Sequence, residues 1–119
     1  MAGSGTDDEQ KRKYDDLHSK VFLLKDLISY QEGTVASRMI VNKKAGTITV
    51  FSFDEGEGLS EHTAPYDAVL TVVEGESEVW VGGQVHQVKE GETIVLPANV
   101  PHALKAVRRF KMVLTMIRE

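Results

Sequence analysis

From Val35 onward, short apolar runs alternate with turn signals. Thr47–Phe53 (TITVFSF) has strict period-two alternation, so Thr47, Thr49, Phe51 and Phe53 share one strand face and the two rings read as core. Val35–Val41, Leu59–Thr63, Ala68–Val73, Glu78–Val81, Val85–Val88, Thr93–Leu96, His102–Ala106 and Phe110–Ile117 read as further strands. Gly, Pro, Asn and Asp punctuate them, most clearly at Asn42–Gly46, Asp54–Gly58, the Gly82-Gly83 hairpin signal and Pro97–Pro101. Upstream, Val21–Leu24 reads as an entry strand and Leu24–Ile28 as a single turn. About ten short strands at near-regular spacing, with no long helix, predict an all-β sandwich or barrel.

Several strands alternate, with apolar residues on one face only. Phe110, Met112, Leu114 and Met116 share one face, while Val113, Thr115 and Ile117 share the other with Lys111. Both faces of Ala68–Val73 are largely apolar. One face can fill a barrel, and the other needs a cover. A second subunit, making a homodimer, is one expectation; Val21–Ile28 folding back over the sheet is the other.

Residues 1–20 are different. Only Met1, Ala2, Tyr14 and Leu17 are apolar there, and Asp7, Asp8, Glu9, Asp15 and Asp16 nearly cancel Lys11, Arg12, Lys13 and Lys20. Too little apolar surface is available to offset ordering entropy, so the expectation is a flexible tail over 1–20 and one barrel domain over 21–119. Thr6 and Glu9 have capping-box spacing for a short helix over Asp7–Leu17, but that helix lacks an apolar face. A length of 119 residues suits a single core.

Charge and composition narrow the chemistry. The net charge of −4 argues against nucleic acid as a partner. The absence of cysteine removes thiolate nucleophiles, disulfides and Cys-based metal sites. No apolar run approaches the length of a membrane span and no signal pattern follows Met1, so a cytoplasmic protein without membrane association is expected. There is no P-loop, no G-x-S-x-G and no H-E-x-x-H.

Two segments carry a more specific pattern. Residues 56–75 read GEGLSEHTAPYDAVLTVVEG and residues 91–106 read GETIVLPANVPHALKA. They resemble the two signature motifs of the cupin superfamily, with Gly56, His62 and Gly75 in the first and Gly91, Pro97 and His102 in the second. The resemblance covers about residues 35–117 and implies a jelly-roll barrel. It also implies that His62 and His102 point into the barrel as metal ligands. Four positions depart from the pattern. Ala64 replaces the second His, Ala68 the Glu, Asn99 the Gly of P-x-G, and Ala106 the final Asn. Asn tolerates the left-handed backbone better than other non-glycine residues, so the change at 99 is mild.

Only two of the four ligands that the resemblance implies remain. A catalytic zinc normally has three protein ligands, and a non-haem iron triad needs two His and a carboxylate. Alternation turns Asp67 away from position 68 and Glu61 away from His62. A divalent metal (Zn, Fe, Mn, Ni or Cu) would therefore be held weakly, completed by water or ligand. His86, Met39, Met112 and Met116 are third donors to be considered, and the thioethers would favour Cu(I). The expected function is binding of a small molecule in the barrel at His62 and His102, with Tyr66 and Trp80 as further ligand contacts. The rival is a metal-dependent enzyme of dioxygenase or isomerase type, and a third reading is a purely structural β-domain. Core or interface packing is the commoner role for Trp80, a surface turn for Tyr66, and plain strand exposure for His86 and Arg38. Lys105, Arg108, Arg109 and Lys111 read as a protective edge or outer face.

Overall fold

A computed structural model of the chain describes residues 17–118. The tail and helix expectations for the first sixteen residues lie outside them. Among the described residues, alternating sequence becomes nine antiparallel strands: β1 (Val35–Lys43), β2 (Gly46–Phe53), β3 (Gly58–His62), β4 (Asp67–Glu74), β5 (Glu76–Val81), β6 (Gln84–Lys89), β7 (Thr93–Leu96), β8 (His102–Lys105) and β9 (Phe110–Ile117). They form a five-stranded sheet in the order β1-β2-β9-β4-β7 and a four-stranded sheet in the order β3-β8-β5-β6. Two facing antiparallel sheets are the expected jelly-roll sandwich.

The core lies between the sheets. From the larger sheet come Phe53, Phe110, Leu70, Val72, Met112 and Leu96; from the smaller come Val79, Val88 and Leu104. Phe53 and Phe110 are register partners, and their rings stack with centroids 4.5 Å apart. Such a pair adds about 0.5–1.5 kcal/mol beyond the area it buries.

The expected entry strand over Val21–Leu24 does not form. Val21–Leu23 has no regular structure; the single turn expected over Leu24–Ile28 is a 3-10 turn at Leu24–Asp26, and the segment that follows is strapped across the outer face of the larger sheet. Side chains of the sheet take up its carbonyls: Lys111 Nζ donates to Lys25 O at 2.6 Å, Arg38 Nη1 to Leu27 O at 3.3 Å, and Ser52 Oγ to Ser29 O at 3.0 Å. With its carbonyls bound to side chains, the strap needs no strand partner. It also accounts for the complete burial of Val50, which points outward from the sheet. Arg38 therefore meets the strap rather than the barrel interior or open solvent.

Candidate functional site

Leu96, Ala68 and the two histidines lie next to two loops that are tied together. The Asn99 N–H donates to Ala64 O at 2.7 Å, and the Ala98 N–H donates to Asp67 Oδ1 at 2.8 Å. Asn99 takes φ 65°, the left-handed conformation that its motif position requires. Asp67 thus serves the loop, and its neighbour Ala68 faces inward in register with Met116 and Leu96.

His62 ends β3 and His102 begins β8, and the two are direct antiparallel partners. Leu59 pairs with Leu104 in the same ladder, although three steps separate Leu59 from His62 and only two separate Leu104 from His102. A β-bulge at Ser60-Glu61 absorbs the extra residue, so Leu59 and His62 share a face that strict alternation would deny them. The imidazole centroids lie 4.3 Å apart with the rings inclined at 68°. His102 is buried, whereas His62 is exposed. The pair therefore stands at the barrel mouth and opens to solvent on the β3 side.

Backbone carbonyls set the ring chemistry. His62 Nδ1 lies 2.8 Å from Ser60 O, and His102 Nδ1 lies 3.2 Å from Val100 O. A carbonyl only accepts, so each Nδ1 carries the hydrogen and each neutral ring keeps its lone pair on Nε2. Two acceptor nitrogens are thereby presented from adjacent strands.

The other expected contacts do not all join them. Trp80 pairs with Ala103 while Val81 pairs with His102, so Trp80 stands on the opposite face of β5 from the imidazole pair. That placement was readable in Glu78-Val79-Trp80-Val81, where the valines claim the inner face. Tyr66 is half-buried in the loop between β3 and β4, between Ala64 and the loop-binding Asp67. His86 pairs with Val79 on edge strand β6 and is exposed. With Gln87, Val88, Glu92, Thr93 and Ile94 it lines an open cleft of about 530 Å³ between β6 and β7. Met112 is fully buried in the core.

A metal centre of the kind implied by the motif needs at least one more strong ligand. Among the described residues no group of three His, Asp or Glu is placed to hold an ion. The motif positions that would complete the set carry the methyl groups of Ala64 and Ala68. The donors present do not fit a three-ligand centre; an ion here would rest on two Nε2 atoms and take its remaining ligands from solvent or a bound molecule.

Comparison with known proteins agrees with this architecture. Residues 49–118 match the model of the cupin domain family, and the chain belongs to that family. A conserved protein of unknown function from Streptococcus pyogenes is similar over 86% of this chain and 90% of its own, at 37% identity and a TM-score of 0.82. A Cupin 2 conserved barrel domain protein from Leptotrichia buccalis is 43% identical over 82% of this chain, with a TM-score of 0.79. This chain spans 47% of that relative's length. A cupin superfamily protein from Desulfitobacterium hafniense matches 86% of this chain and 94% of its own at 25% identity and a TM-score of 0.81. A search of curated proteins finds no match. Among the described residues no helix is long and apolar enough to cross a membrane.

Proposed function

We propose that this cupin binds a small organic molecule at its barrel mouth, with the Nε2 atoms of His62 and His102 accepting hydrogen bonds from the ligand's hydroxyl or carboxylic acid groups. The observation that carries this reading is the pairing of two rings 4.3 Å apart whose Nδ1 atoms are both committed to carbonyls. Fixing the tautomer in advance removes part of the ordering cost of binding.

A second reading follows from the same bonds. An Nδ1–H held by a carbonyl is the usual support of a metal-binding histidine, so the pair also suits a weakly held divalent ion whose coordination the organic ligand completes. The dioxygenase or isomerase alternative requires a third strong protein ligand in addition.

Thermal melting with phenol, catechol, ZnCl2 and MnCl2, alongside metal analysis of the purified protein, separates these readings. Phenol or catechol at a hundredfold excess over Kd adds about 2.7 kcal/mol, a shift of several degrees. The shift is expected in the wild type and absent in His62→Ala and His102→Ala. Unchanged melting with every probe, or equal shifts in both variants, rejects the site. Stoichiometric metal that co-purifies and disappears in both variants favours the enzyme alternative.

A further inference from the structure

The smaller sheet carries a cleft on its outer face. Alternation along β5 turns Ser77, Val79 and Val81 toward the core and Glu76, Glu78 and Trp80 outward. Across the ladders Glu78 stands between Gln87 of β6 and Lys105 of β8. The loop from β8 into β9 adds Val107 and Arg108 to the same side. Glu76, Glu78, Gln87, Val107 and Arg108 together line a cleft of about 240 Å³. The imidazole pair belongs to the inner face of this sheet, where His102 is the partner of Val81, so the cleft is separate from the barrel mouth.

Opposite charges line this cleft without joining. Among the described residues, the Arg108 and Glu76 side chains form neither an ion pair nor a hydrogen bond. The Glu78 carboxylate has a neutral partner only, the Gln87 amide, whose Nε2 donates to Oε2 at 3.1 Å. Gln87 thereby orients that carboxylate and leaves Oε1 open. Two carboxylates on the sheet and one guanidinium on the loop thus keep hydrogen-bonding capacity to spare. Val107, 53% exposed, adds an apolar wall.

We infer that this cleft binds a zwitterionic amino acid with an aliphatic side chain. The ammonium group sits between the carboxylates of Glu76 and Glu78, the ligand carboxylate takes paired N–H groups of Arg108, and the side chain covers Val107. A guanidinium matches a planar carboxylate through two parallel bonds, and an ammonium offers three donors to the two acidic side chains. A ligand with both charges satisfies both sets at once. A simple cation leaves Arg108 unpaired, and a simple anion meets the like charges of Glu76 and Glu78. The size agrees as well, because the cleft is smaller than the roughly 300 Å³ at which pockets for drug-sized ligands begin.

Trp80 supplies the readout. It is the only tryptophan of the chain and stands two residues from Glu78 on the same strand face. Titration of the full chain with L-leucine, followed by Trp80 fluorescence and by calorimetry, is expected to saturate. The analogues 4-methylpentanoate, without the ammonium, and 3-methylbutylamine, without the carboxylate, are expected to bind at least about threefold more weakly, the scale of one exposed charge pair. Arg108→Gln and Glu76→Gln change side chains that bond to nothing else among the described residues, so the fold is kept, as thermal melting will verify. Each is expected to weaken leucine binding by the same margin. His62→Ala and His102→Ala are expected to bind leucine as the wild type does. No saturable signal with leucine, equal affinity for all three ligands, undiminished binding in both Gln variants, or loss of binding in His62→Ala overturns the inference.

Discussion

The Tyr30 hydroxyl donates a 2.6 Å hydrogen bond to Glu74 Oε1 and so ties the strap to the far end of β4. The ring also lies under two cations, with the Arg109 guanidinium 4.4 Å and Lys111 Nζ 4.9 Å from its centroid. Burial first, and then the bond to Glu74, hold the phenol neutral and raise its pKa above the ordinary value.

A raised pKa means that the folded state holds the proton more tightly than the unfolded state. Tyr30 therefore contributes its full stability below about pH 10 and loses it as pH rises through the folded value. In an alkaline absorbance titration of the three tyrosines, Tyr30 is expected to ionise last. Tyr30→Phe should remove that late step and cost about 1–2 kcal/mol at neutral pH, measured by urea unfolding. An unchanged titration curve in the variant would contradict this assignment.

The bulge in β3 yields a sharper test. The ladder between Leu59 and His62 holds one residue more than the stretch of β8 opposite. Deleting Glu61 alone should straighten the strand and leave His62 opposite His102. Deleting both Ser60 and Glu61 should turn His62 to the outer face. Proton NMR contacts between the two rings are expected to survive the first deletion and vanish in the second. The reverse pattern would mean that the bulge does not set the pairing.

Much of the barrel could be read from alternation, and what could not be read has definite physical reasons. Thr47–Phe53 and Phe110–Ile117 announce their faces because each inward residue meets the same core. The Leu59–His62 stretch does not, since Gly58-Leu59-Ser60-Glu61-His62 has a single apolar residue and the bulge depends on β8, forty residues away. Val21–Leu24 resembles a strand locally, yet the downstream segment is strapped down by Lys111, Arg38 and Ser52, which are remote in sequence. Of the expected covers for the outer face, Val21–Ile28 supplies one in part: its 3-10 turn and the carbonyls of Lys25 and Leu27 lie on the sheet, while Val21–Leu23 stays exposed. The two histidines were readable by motif. Their bulge-dependent pairing and the exposure of His62 arise only from strand register and an open barrel edge.

Asn99 tests the tolerance of a motif glycine position. At φ 65° it occupies backbone space where most side chains are strained, while its N–H holds Ala64 O. Asn99→Gly is expected to change stability by less than about 1 kcal/mol. Asn99→Val should cost about 1–2 kcal/mol or more, because a β-branched side chain is poorly accommodated there. Urea unfolding of the two variants checks the order. Equal stabilities would show that the loop relaxes out of this conformation.

Asp54 makes the corresponding acid-side prediction. Its carboxylate accepts the Gly33 N–H at 2.8 Å, and Arg109 lies 3.5 Å away. The backbone N–H groups of Gly33 and Glu55 hold its pKa below the ordinary carboxylate value, with Arg109 adding less. A lowered pKa means that the folded state prefers the charged form. The stabilisation is thus present above the unfolded value of about 3.9 and is lost as pH falls through the folded value. Asp54→Asn keeps an acceptor for Gly33 but removes the charge, so it should melt below the wild type at pH 7 and converge with it in strong acid. Because backbone donors outrank Arg109, an exposed cation, added salt should narrow the difference only slightly. A gap that persists unchanged in strong acid would assign the effect to shape rather than charge, and a gap that collapses in salt would give the leading part to Arg109.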